Sequence, residues 1–118
     1  MATVVAFAGE WDVASQKSFR REVRRLDEES VLILDFSEVA YVDSSCLAEL
    51  IVMERKRSES GFPRATLIVK AVSPVRKVLE VSGLAKIFRI AGSLDEVQAE
   101  HKEPFVVEYA QRDDEPYG

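Results

Sequence analysis

Apolar positions fall into short blocks separated by stretches of helical period. Ala2 to Ala8 (ATVVAFA) is apolar and rich in β-branched residues, which predicts a strand. Gly9-Glu10-Trp11-Asp12 interrupts it, and Asp12 or Ser15 can cap a helix running to about Glu28. In that helix Phe19, Val23 and Leu26 share one face, and Arg20, Arg21, Arg24 and Arg25 form a stripe on the other. Val31 to Leu34 is a continuous apolar run ending at Asp35-Phe36, the pattern of a strand covered on both faces. Val39 to Val42 extends it or forms a short following strand. A second helix is predicted from about Ser45 to Glu59, with Leu47, Leu50, Ile51 and Val52 inward and Glu54 to Arg57 facing water; Gly61-Phe62-Pro63 ends it.

Ala65 to Val72 reads as another strand. Ser73-Pro74 opens a third helix that carries Val75, Val78 and Leu79 and stops at Ser82-Gly83. Ile87 to Ile90 is a short strand, and Ser93 to Glu96 has the spacing of a capping box for a last helix to about Glu100. Pro104 to Tyr109 (PFVVEY) predicts a strand covering an open sheet edge, in its own or a neighbouring subunit. Arg112 to Gly118 is charged and predicted to be disordered. Strands alternating with helices imply βαβ crossovers and an α/β fold. The expected architecture is a small mixed or mostly parallel sheet with about four helices, mainly on one side. Residues 1–103 form the domain and 104–118 an extension.

One domain of 118 residues can bury a core without metal or disulfide. The single cysteine, Cys46, cannot form an internal disulfide, and a reducing cytoplasm is the expected compartment. No signal peptide is legible, and no apolar run is long enough to span a bilayer. A net charge of −5 argues against nucleic acid as a partner, and no aromatic residues interleave with the arginine stripe. That stripe reads as a solvated helix face or as a dock for an acidic protein.

Candidate chemistry concentrates where the second apolar strand gives way to a helix, at Tyr41-Val42-Asp43-Ser44-Ser45-Cys46. One helix needs one cap, yet three polar residues stand here. A serine nucleophile would need a base; the lone His101 sits in a polar context, and no Gly-x-Ser-x-Gly elbow is present. The expectation is a binding protein without catalytic residues. Asp35 and Asp43 could approach one another, but no His or Cys cluster accompanies them, and no glycine-rich phosphate loop exists, so neither metal nor cofactor is expected. Two readings stay open: a redundant cap, or a switch in which a phosphate on Ser44 meets the free N–H groups of the helix start beside Asp43.

Three stretches carry a family resemblance. Gly9-Glu10-Trp11-Asp12, the run Leu34 to Ser45, and Ser73 to Leu79 with Ser82-Gly83-Leu84 are together similar to the STAS domain, and most like bacterial anti-anti-sigma factors. The resemblance implies phosphorylation of Ser44 by an anti-sigma factor serine kinase, which the unphosphorylated domain captures. It also implies Asp43, Ser45 and Cys46 as flanking partner-binding positions, and Glu10 and Asp12 as a loop near the serine. A phosphatase and a second copy of the chain are further candidate partners. Cys46 stands where the family has Gly; it is expected to be a structural substitution rather than a redox sensor, although a helix N-terminus lowers a thiol's pKa, and a side chain there could obstruct a kinase. Family members of this type usually carry an extra edge strand before the equivalent of Ala2 to Ala8, and the edge here is expected to be exposed or covered by another segment. The alternative reading is a non-switching STAS scaffold, or a cytoplasmic subunit of a signalling particle or of a lipid or anion transporter.

Overall fold

The computed structural model describes residues 2–26 and 29–112. Five strands, β1 (Ala2–Trp11), β2 (Leu32–Val42), β3 (Thr66–Ile68), β4 (Arg89–Ala91) and β5 (Phe105–Tyr109), form a sheet in the order β4-β3-β2-β1-β5. The sheet expected to be mixed or mostly parallel is parallel in all four pairings. Parallel neighbours need crossovers, and four helices supply them: α1 (Gln16–Arg24), α2 (Ser44–Glu59), α3 (Pro74–Ser82) and α4 (Leu94–Glu100). The predicted end of the first helix at about Glu28 lies outside the described residues.

The alternation of β1 and β2 divides the core. Val5, Phe7, Leu32, Leu34 and Phe36 face a thick layer with Phe19 and Val23 of α1, Leu50 and Met53 of α2, and Val75 and Leu79 of α3. Ala2, Val4, Ile33, Ile68 and Ala91 face a thinner layer closed by Val97 of α4. This is why Val31 to Leu34 reads as unbroken hydrophobicity: neighbours in sequence feed opposite layers. Phe7, Trp11, Phe19 and Phe36 form an aromatic cluster with Phe7–Phe36, Phe7–Trp11 and Trp11–Phe19 centroids 5.0, 5.2 and 5.5 Å apart, all edge-on. Such pairs are worth about 0.5–1.5 kcal/mol each beyond their area. The cluster fixes the C-terminal end of β1, next to the junction of interest.

Several elements differ from the sequence pattern, each for a local reason. Gly9 to Trp11 continue β1 rather than breaking it, because register shifts after Ala6 and Gly9 absorb the irregularity and Gly9 adopts φ +82°. The Ala65 to Val72 strand shrinks to β3 because the Arg76 guanidinium takes the Val69 and Lys70 carbonyls. The strand expected at Ile87 begins at Arg89, since Leu84–Lys86 is a 3-10 turn and the N–H groups of Ile87 and Phe88 donate back to Leu84 O. Ser93 caps α4 through Glu96 N, but the Glu96 carboxylate accepts from Gly92 N rather than closing the box on Ser93. Val52 and Val78 turn outward.

The largest correction concerns Glu54 to Arg57. Arg55 and Lys56 do face water, but Glu54 and Arg57 are buried. The Arg57 guanidinium donates to the carbonyls of Glu29 and Pro63 and lies 5.4 Å from the Phe62 ring centroid. Glu54 accepts from Ala65 N at 3.2 Å and stands 3.8 Å from Arg57 Nε. The arginine stripe on α1 is exposed as expected, yet it is tied inward. Arg20 and Arg24 pair with Glu49, Arg25 with Glu22 and Glu108, and Arg21 donates to Gln111 O.

The segment predicted as an edge strand is β5, and it covers β1 of its own chain from Ala2↔Phe105 to Ala6↔Tyr109. Arg112, which the sequence places in a disordered tail, donates to Glu10 O and stacks 5.6 Å from the Trp11 ring centroid. The rest of that tail lies outside the described residues.

Candidate functional site

At the C-terminal end of β2 the chain leaves an apolar strand and must start a helix whose first N–H groups lack partners. Asp43 takes an extended conformation (φ −92°, ψ 173°) as N-cap of α2. Its Oδ1 accepts from Ser45 N at 3.0 Å, Cys46 N at 3.2 Å and Ser45 Oγ at 2.5 Å. The Ser45 hydroxyl, with help from the Cys46 and Ser45 N–H groups, holds the Asp43 carboxyl below the usual carboxylate range.

The cap therefore uses Asp43 and Ser45 and leaves Ser44 out. Ser44 is exposed, and its hydroxyl has no hydrogen-bond partner among the described residues. It sits in the first turn of a 16-residue helix, where the dipole favours negative charge.

Cys46 points the other way. It is fully buried, and its Sγ lies 3.5 Å from Trp11 O, which it approaches as a donor. Burial, then the Asp43 charge, push the thiol up to about 12. The cysteine expected to be a structural substitution, with a side chain that could obstruct a kinase, thus adds no bulk to the outer face of the turn. It stands protonated at neutral pH.

Trp11 joins the two predicted halves of the site. Its carbonyl accepts from Asp43 N at 3.0 Å as well as from Cys46 Sγ, and the residue pairs with Val42 in the sheet. Glu10 pairs with Tyr41 one position before, and both are exposed. Asp12 is half-buried and occupied: its Oδ1 accepts from Ala14 N and Ser15 N, while Ser15 Oγ accepts from Asp12 N. Glu10 is thus a surface carboxylate with no side-chain partner among the described residues, whereas Asp12 shapes the loop. Arg112 is the neighbour the sequence did not offer; it reaches Glu10 O from 102 positions further along the chain, and no local pattern announces such a contact.

The other candidates separate. β2 is continuous, so Asp35 and Asp43 lie eight residues apart along it, about 26 Å in an extended strand. Asp35 instead accepts from Ser37 N. His101 ends α4, which packs on the opposite sheet face from α2, and stacks edge-on with Phe105. Among the described residues no group of three His, Cys, Asp or Glu could hold a metal ion, and no helix is long and apolar enough to cross a membrane.

Comparison with solved structures gives the same fold. An anti-sigma factor antagonist from Mycobacterium paratuberculosis is similar with TM-score 0.65 at 18% identity, covering 84% of this chain and 86% of that one. The anti-sigma factor antagonist SpoIIAA in its unphosphorylated form gives 0.60 at 20% identity, covering 83% and 86%. SpoIIAA of Bacillus in its phosphorylated form gives 0.59 at 22%, covering 84% and 91%. No curated protein sequence matches significantly. The family model described as "Mlab, STAS domain" matches residues 1–100, and the chain belongs to the STAS domain family.

Proposed function

We propose that this chain is a cytoplasmic anti-sigma factor antagonist that binds an anti-sigma factor serine kinase and is switched off by phosphorylation of Ser44. The observation that carries the reading is the division of labour in the first turn of α2. Asp43 and Ser45 lock together as the cap, and Ser44 alone presents an idle, exposed hydroxyl. Solved relatives of the fold include an anti-sigma factor antagonist in both unphosphorylated and phosphorylated forms.

In this reading the kinase supplies the chemistry. Ser44 Oγ attacks the γ-phosphorus of ATP held by the partner, the bond to ADP breaks, and the hydroxyl proton passes to a base of the kinase. The product carries about −1.5 to −2 charges beside Asp43. The helix start tolerates that charge, so the domain stays folded. An interface over the same turn would have to desolvate it, and binding weakens. Glu10, Asp43, Ser45 and the Asp12-shaped loop form the rim of the docking face. Cys46 supports that face from inside. A phosphatase acting on Ser44 would restore binding.

The test incubates the full chain with its cognate kinase and ATP and maps phosphate by mass spectrometry. Phosphate on Ser44, constitutive binding by Ser44→Ala and at least about hundredfold weaker binding by Ser44→Asp are expected. Phosphate on Ser45 alone, or none, sinks the reading. The match to a STAS domain family model supports the fold common to both readings and leaves room for a second one. That reading is a non-switching scaffold or cytoplasmic subunit of a signalling particle or of a lipid or anion transporter, in which Ser44 is never modified.

A further inference from the structure

Among the described residues almost every arginine is committed inside the chain. The α1 arginines pair with Glu22, Glu49 and Glu108 or with Gln111 O. Arg57 and Arg112 hold backbone carbonyls, Arg76 holds Val69 O and Lys70 O, and Arg89 pairs with Glu100. The two exceptions, Arg55 and Arg64, make no hydrogen bond and no close ion pair, and both line one hollow of about 430 Å3. Lys86, from the 3-10 turn after α3, lines the same hollow.

In a chain of net charge −5, three exposed cations around one concavity need an explanation; Arg64 faces the Glu54 charge, and Arg55 and Lys86 are bonded to nothing among the described residues. Among the described lining residues the one carboxylate is Glu54, which is buried, bonded to Ala65 N and faced by Arg57 and Arg64. Ile51, Phe62 and Ile87 add an apolar wall, and Ser58 adds a further polar residue to the lining. A volume of this size falls in the range of small-molecule sites, which combine apolar walls with a few convergent polar groups. Two guanidinium forks can grip a phosphate through paired N–H donors, and a lysine adds a point charge.

We propose that this hollow binds a phosphate monoester carried on an apolar or aromatic body. The anion sits between Arg55, Arg64 and Lys86, and the body lies on Phe62 and Ile87. The site is independent of the Asp43–Cys46 junction, because Ser58 stands about 21 Å along α2 from Ser44. It therefore does not depend on the proposed phosphorylation of Ser44.

The test uses the full chain and two sources of the same chemistry. Amide correlation spectra follow titration with adenosine 5′-monophosphate. Co-sedimentation follows binding to phosphatidylcholine vesicles with and without phosphatidic acid. Shifts centred on Arg55, Ser58, Phe62, Arg64 and Lys86 with the nucleotide identify a soluble phosphomonoester. Binding only to phosphatidic acid vesicles identifies a lipid headgroup. In either case the double variant Arg55→Gln/Arg64→Gln, altered only at exposed positions, should bind at least about tenfold more weakly. Lys77→Gln, exposed on α3, should bind as the parent does. Absence of binding to both probes, equal binding by the double variant, or an equal loss in Lys77→Gln overturns the proposal.

Discussion

The two ends of α2 use polar residues in opposite ways. At the C-terminal end Glu54 and Arg57 are buried, and between them they hold the Ala65 N–H and the carbonyls of Glu29 and Pro63. At the N-terminal end Asp43 and Ser45 are half-buried and satisfy the helix start, while Ser44 is exposed and idle. One end spends its polar groups on holding a loop to the core. The other holds itself together with two residues and keeps a third available. The idle hydroxyl, rather than polarity as such, marks the place where chemistry can be added without loss of the fold.

The comparison breaks first at Arg57. Arg57→Ala should remove about 3–5 kcal/mol of stability, because two carbonyls and the Glu54 carboxylate lose their buried partner. Urea denaturation measures this, and a loss below about 1 kcal/mol would mean that the C-terminal end is no more structural than the other.

Next in size is the cap. Asp43→Ala should cost about 1–2 kcal/mol, since Ser45 N and Cys46 N lose their acceptor. Asp43→Asn should recover most of it, because asparagine caps as well as aspartate. Equal losses in the two variants, read from thermal or urea midpoints, would show that the carboxylate charge rather than capping holds the turn.

What the sequence made legible follows from where the forces are local. Ser73 as cap, Pro74 in the first turn and Gly83 in the left-handed position are short-range devices, and all three are in place. The Asp43-Ser44-Ser45 junction was legible for the same reason: strand periodicity stops and helical periodicity starts within three residues. Which serine serves the cap was not, because that depends on the direction of one carboxylate. Glu54 and Arg57 were misread as solvated, since their partners lie in loops distant in sequence and a charged residue on a helix ordinarily faces water. Arg112 was out of reach altogether, as its contact with Glu10 depends on β5 docking beside β1.

The two ends should also answer acid with opposite signs. Asp43 has a folded value below its unfolded one. Its contribution is fully present above the unfolded value and is lost as pH falls through the folded one. Glu54 is raised by burial, so its charged form destabilises the fold. Stability is regained as pH falls through its folded value, and the gain is complete below the unfolded one. In urea titrations between about pH 7 and about pH 2.5, around the ordinary carboxylate values, Glu54→Gln should lose the gain in mild acid. Asp43→Asn should flatten the decline at the acid end. Parallel curves for parent and variants would remove the opposition.

The smallest expected effect is the most discriminating. Ser44→Ala should change stability by no more than about 0.5 kcal/mol, the range of surface substitutions away from structural features. Ser45→Ala, which removes the donor at 2.5 Å from Asp43, should cost about 1 kcal/mol. Ser44→Asp should be neutral or stabilising by about 0.3–1 kcal/mol, because the added charge lies in the first turn. These three values, taken from urea curves in one buffer, separate a spare hydroxyl from a structural one. If Ser44→Ala costs as much as Ser45→Ala, the hydroxyl belongs to the cap after all. The first turn then holds no residue that can be modified without touching the fold.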